Sequence, residues 1–131
     1  FLGVLISCED IDDNPVPTAL EVKDFIWKGI ASDKIWIELG EIANIAEISI
    51  NGKDCGTLWT FPFKTDISQA LKKGKNTIEI SITNTWANRL IGDQKLPKEE
   101  RLTWTTAPFR LEGNPLLKAG LLGPVIILKE K

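Results

Sequence analysis

An apolar residue at every second position, repeated in run after run, is the feature that most limits what this chain can fold into. In "KIWIELG" the alternation puts Ile35, Ile37 and Leu39 on one side and Trp36 and Glu38 on the other, the period of a strand with one buried face. "AEISI" repeats it with Ala46, Ile48 and Ile50. "NTIEISIT" sends Ile78, Ile80 and Ile82 inward and leaves Thr77, Glu79, Ser81 and Thr83 for water. Asn51-Gly52 follows the second run directly, and both positions tolerate the positive φ of a type I′ turn, so a hairpin returning through "DCGTLW" is expected.

The remaining segments fit the same scheme. "DISQALKKGKN" reads as a short helical turn, capped by Asp66 or Ser68, with Leu71 toward the core and Gly74 as its stop. "TALEVKDFIW" is a less regular strand, and "GPVIILKE" a last strand with Pro124 at its first residue, where a missing N–H does least harm. Short strands divided by Gly and Asn turns, with no long amphipathic helix, predict an all-β fold, an antiparallel β-sandwich. A chain of 131 residues with 43% hydrophobic content suits one such domain with a single core.

What is missing restricts the chemistry. The chain has no histidine, which removes the Ser-His-Asp and Cys-His mechanisms and the commonest metal ligand. Sixteen basic residues stand against eighteen acidic ones, and neither sign gathers into a block, so nucleic acid is not an expected partner. There is no methionine, as in a processed chain or a piece of a longer one. No apolar run reaches the ~18 residues of a spanning helix.

Cys8 and Cys55 permit one disulfide or two free thiols. "FLGVLISCEDIDD" is apolar up to Cys8 and acidic after it, the pattern at the end of a bacterial lipoprotein signal; a first strand is the rival reading. Residues 1–13 are accordingly a targeting remnant or a first strand, and 14–131 the sandwich. The lipoprotein reading places the chain in the periplasm, on the outer membrane or outside the cell, anchored at Cys8. The acidic cluster Glu9, Asp10, Asp12 and Asp13 lacks the glycine turn and distal glutamate of an EF-hand and reads as a solvated linker.

One stretch resists the strand scheme. From Asn84 to about Gly123 the alternation fades, over a length well beyond the ~12–15 residues usual for a structureless loop in a compact domain. It opens on "NTWANRLIGD", with Trp86, Arg89 and Asp93 set among asparagines. Two roles are open to this motif. Arg89 and Asp93 either pair with each other or with backbone groups and hold the segment down, or they form a rim that meets a sugar or another domain.

Several motifs occur together in order: the "NGK…G" hairpin, the approach at Pro62, Phe63, Asp66 and Ile67, "GKNTIEI", "NRLIGD" and "GLLGPV". Over roughly residues 35 to 128 the chain resembles the galactose-binding-like jelly-roll domain of large glycoside hydrolases. It is most similar to the C-terminal domain of bacterial α-L-rhamnosidase-like enzymes, and more distantly to the sugar-binding domain of glycoside hydrolase family 2. Residues 1–34 depart from the pattern, lacking the Tyr-Ser-Gly-type segment and aromatic strand of that family, and the chain has no tyrosine. A sheet edge left open by that departure invites pairing with another copy.

The resemblance implies a non-catalytic accessory domain whose loops support or border a separate catalytic barrel. The residues expected to bind carbohydrate or to dock a catalytic domain are Trp86, Asn88, Arg89, Asp93 and Trp104, with no catalytic residue and no metal ligand assigned. No cofactor is expected; domains of this type sometimes carry a structural calcium, for which no ligand set is identified. Trp104 in "RLTWTT" is the candidate for stacking on a sugar, whereas Trp59 beside "TFPF" is expected to pack at the edge of the core. Glu99 and Glu100 in "LPKEERL" read as a solvated turn, and Asp93 and Glu112 as loop acids without the apolar pocket a glycosidase acid requires.

Overall fold

The computed structural model describes residues 2–4, 18–30, 32–108 and 113–130. Cys8, the acidic cluster after it and Glu112 lie outside the described residues, and with them the lipoprotein reading and that of the linker. Strand β1 is Leu2–Val4, β2 Thr18–Trp27, β3 Ile35–Glu38, β4 Glu41–Ala43, β5 Ile45–Ile50, β6 Lys53–Leu58, β7 Lys64–Asp66 and β8 Gly74–Thr83. Helix α1, Ala87–Gln94, follows, and the chain closes with β9 Gly120–Gly123 and β10 Val125–Lys129.

The strands form two antiparallel four-stranded sheets, ordered β2-β8-β5-β6 and β1-β10-β3-β7, with β4 and β9 as a small extra pair. The alternating isoleucines do what their period requires. Ile48, Ile50, Ile78, Ile80 and Ile82 of the first sheet and Ile35, Ile37, Val125 and Ile127 of the second are buried in one cluster, together with Phe25, Leu39, Ala46, Ile67 and Leu121. Each such side chain contributes about 1.5–3 kcal/mol on burial. The Asn51-Gly52 turn has φ of 54° and 78°, as a type I′ hairpin needs.

"DISQALKKGKN" forms the expected single helical turn: Asp66 Oδ1 accepts from the Ser68 N–H and hydroxyl, the Ala70 and Leu71 N–H groups return to Ile67, Leu71 packs against the core, and Gly74 ends the turn at positive φ as the first residue of β8. The turn is backed by Asn76, the next buried residue, at 1% exposure. Its Nδ2 donates to the carbonyls of Lys72 and Gly74 at 2.8 and 2.9 Å, and its Oδ1 accepts from Lys72 N and Asn51 Nδ2 at 2.9 Å each. Every bond the amide can make within its plane is used, and the chain is turned before a helix can propagate. The stretch after Asn84, expected to be irregular, differs: it holds α1, a 3-10 turn at Lys98–Glu100 and strand β9.

The registers define two ends. Ile45, Leu58 and Thr83 terminate their strands together, and the neighbouring ends of β3 and β7 are joined there by Leu39 N–H donating to Phe63 O at 2.9 Å. The other end carries the Asn51–Asn76 clasp. Gly40 meets Gly123 at the first end, and a Cβ on Gly40 would lie 2.5 Å from Gly123 O with φ at +66°, so only glycine fits.

Replacing Asn76 with Ala removes all four amide bonds and leaves the Lys72 and Gly74 carbonyls without this donor. The expected loss is about 2–3 kcal/mol, read as a lower urea midpoint with an unchanged m-value.

Candidate functional site

The sequence-selected residues cluster around α1, and most of their polar atoms are already committed. Asn88 makes a two-point contact with the backbone of Leu117: its Nδ2 donates to Leu117 O and its Oδ1 accepts from Leu117 N, both at 2.7 Å. The amide thereby imitates a strand neighbour for a run that has none. Asn84 does the same work nearby, with Oδ1 accepting from Gly120 N at 2.6 Å.

Asp93 is the anchor of the helix. It is 3% exposed, and its Oδ2 accepts from Leu102 N at 3.2 Å and from the Thr103 N–H and hydroxyl at 2.7 Å each. Arg89, one turn earlier, brings Nε to 3.3 Å from Asp93 Oδ1, too poorly aligned for a hydrogen bond. Burial works against the charged carboxylate, but the Thr103 hydroxyl, the Thr103 N–H, the Arg89 charge and the Leu102 N–H outweigh it and hold the group below its ordinary value. A carboxyl kept ionised in this way cannot serve as the protonated acid of a glycosidase.

Arg101 completes the arrangement in a role the sequence did not disclose. Its Nε donates to Leu96 O at 2.8 Å and one terminal nitrogen to Gln94 O at 3.1 Å, so a cation closes the C-terminal end of α1. Glu99 and Glu100 beside it are exposed, as the reading of a solvated turn expected. The one buried apolar residue of α1, Ile91, stands apart from the sandwich core. Side-chain bonds to backbone, and not a shared apolar core, hold this segment together.

The aromatic residues divide sharply. Trp104 is 81% exposed, and Trp86, at the start of α1, is also exposed. Trp59 corrects the expectation of core-edge packing: it is 70% exposed, and Phe61, two residues on, is 79% exposed, meeting Phe63 edge-on with ring centroids 6.3 Å apart. The loop 59–63 connects β6 to β7 and is too short to fold Trp59 back over the core once Phe63 has filled the place beside it. Leu102, Leu116 and Leu117 are exposed in the α1 segment. The loop 59–63 leaves the sandwich where Leu58 ends β6, and the run carrying Trp86 and Trp104 leaves it at the same end, where Thr83 ends β8.

Trp36 belongs to neither group. Lys34 and Lys64 place their ammonium nitrogens 5.1 and 4.8 Å from its ring centroid, and its Nε1 donates to Glu130 Oε2 at 2.9 Å. Its face is covered by cations and is not free for a sugar. Cys55 carries a free thiol, pushed above its ordinary value chiefly by burial, which disfavours the thiolate. Among the described residues no three Asp, Glu or Cys side chains gather to hold a metal ion, and no helix is long and apolar enough to cross a membrane.

The family described as glycosyl hydrolase 2 galactose-binding domain-like matches residues 20–114. A "Putative beta-glucuronidase" of Formosa agariphila is 38% identical, and the alignment covers 74% of this chain and 10% of that protein. The solved structure of a rhamnosidase from Novosphingobium sp. PP1Y is 40% identical with a TM-score of 0.78, covering 86% of this chain and 11% of that one. The chain thus spans about a tenth of the length of both relatives. It belongs to the glycosyl hydrolase 2 galactose-binding-like family, an accessory β-sandwich of glycoside hydrolases.

Because the folded Asp93 carboxyl titrates below its ordinary value, the unfolded chain takes up the proton first as pH falls. Its contribution is complete above the ordinary carboxylate range, about pH 4, and is lost as pH drops through the lower folded-state titration. Asp93→Asn should cost about 2–3 kcal/mol at neutral pH. Its melting temperature should also fall less than that of the natural chain between about pH 5 and pH 2. An equal acid dependence in the two proteins would contradict this assignment.

Proposed function

We propose that this member of the galactose-binding-like family is one part of a larger glycoside hydrolase of the α-L-rhamnosidase type, and that its aromatic end borders that enzyme's catalytic domain. The observation that carries the reading is the exposure of Trp59, Phe61, Trp86 and Trp104, all borne on chain that leaves the sandwich at the end where β6 and β8 stop. Exposed apolar surface of this extent, presented by a segment stitched into a fixed shape, suits a protein partner. Asn88 and Asp93 support it: their side-chain oxygens and the Asn88 amide are spent on backbone groups of the segment that presents Trp104, with Arg89 in an ion pair to Asp93.

A second reading, a free-standing carbohydrate-binding module, is favoured by Trp104 alone, whose open indole could cover the apolar face of a pyranose. The two readings separate in a chimera in which this chain replaces the corresponding domain of the Novosphingobium rhamnosidase. With docking, Trp104→Ser and Phe61→Ser should each destabilise the chimera by about 2 kcal/mol. In the isolated chain the same changes should stay within about 0.5 kcal/mol. No effect in the chimera would overturn docking. A saturable tryptophan-fluorescence change with rhamnose, galactose or glucuronate below about 10 mM, lost in Trp104→Ala, would establish the binding module.

A further inference from the structure

Among the described residues, one sheet edge is long, regular and open. Among the described residues β2 has β8 as its one neighbour, and their pairing runs unbroken from Thr18 opposite Thr83 to Trp27 opposite Gly74. The other edges are protected: β1 and β7 have three residues each, and the pairing of β6 slips between Glu47 and Ser49. On the outer face of β2, Leu20, Val22 and Ile26 are exposed. Such an edge is a template for another strand.

We propose that β2 pairs antiparallel with β2 of a second copy of this chain, about a twofold axis at Val22. Charge selects the register. A twofold pairing that keeps inner face with inner face must be centred on a residue, because side chains alternate with a period of two. Two centres use nearly the whole strand. Centred on Val22, Glu21 of each copy lies opposite Lys23 of the other, and the favourable pair is formed twice. Centred on Lys23, that residue would oppose itself, and like charges directly opposite in a ladder are unfavourable.

The surrounding residues fit the first register. Phe25 comes opposite Ala19 and Ile26 opposite Thr18, and the outer-face apolar residues of both copies form one stripe across the seam. Asp24 stays with its own chain, 2.9 Å from Lys75 and 2.6 Å from the Thr77 hydroxyl, so it brings no unpaired charge. Glu21 and Lys23 have no ion-pair partner among the described residues. Charges on the inner face of an edge strand ordinarily keep other strands away. Here they are opposite in sign and two residues apart, so the strand that satisfies them is the same strand running the other way. The seam lies along the flank of the sandwich and does not depend on the docking reading of its aromatic end.

Sedimentation equilibrium of these 131 residues without substitutions should give twice the 14.6 kDa of one copy. Lys23→Glu and Glu21→Lys should each weaken the dimer at least tenfold, and the double exchange should restore it, with circular dichroism confirming that all the variants are folded. A monomer up to about 1 mM overturns the proposal. So does a double variant that fails to recover, or a dimer that survives both single changes and is lost in Trp104→Ser, which would assign association to the aromatic end.

Discussion

Neither sheet can exist without the other. Each has one face of isoleucine, and Ile37, Leu39, Ile50, Ile80 and Ile82 are wholly closed from water only because the opposing sheet covers them. The ladders satisfy the backbone along the strands, but at the strand ends peptide groups need other partners. The rest of the structure is the answer to that need, and it is answered differently at the two ends.

At one end the solution is compact. Asn51 accepts from Thr77 N through Oδ1 and donates to Ala70 O and to Asn76, and Asn76 in turn fixes the turn before β8. Two amides close the hairpin, the Ile67–Leu71 turn and the start of the longest core strand. At the other end the chain makes a long excursion, and Asn84, Asn88, Asp93 and Arg101 distribute the same kind of bond along it. The second end leaves Trp59, Phe61 and Trp104 in water.

The sandwich was legible because period-two alternation reports which face is buried, and Ile35 to Leu39, Ala46 to Ile50 and Ile78 to Ile82 all carry it without interruption. The Asn51-Gly52 turn was legible because its positive φ angles restrict the residues that can occupy it. Asn76 was not: it reads as one more polar residue before a strand, and its burial depends on Lys72, Gly74 and Asn51 converging on it. Helix α1 was hidden because Ile91 is its one buried apolar residue, so no helical stripe exists to be read. Trp59 was misplaced since an aromatic beside "TFPF" carries no mark that says whether it turns in or out; Phe63 turns in and Trp59 does not. For the site residues the type of chemistry was readable, but not its direction, which in Asn88 and Asp93 points back into the chain.

A segment held by hydrogen bonds to its own backbone opens differently from one held by a core. Helix α1 has Ile91 as its one buried apolar residue, outside the core cluster, so its hold on the fold rests on the bonds of Asn88, Asp93 and Arg101. The chain is therefore built as two cooperative units of unequal depth. Amides of α1 should exchange with solvent through a shallow, local opening, while those of β5 and β8 wait for global unfolding. A partner seated on the aromatic end would stabilise the shallow unit far more than the deep one, so its arrival would be written in the exchange of α1 and scarcely in the melting of the sheets.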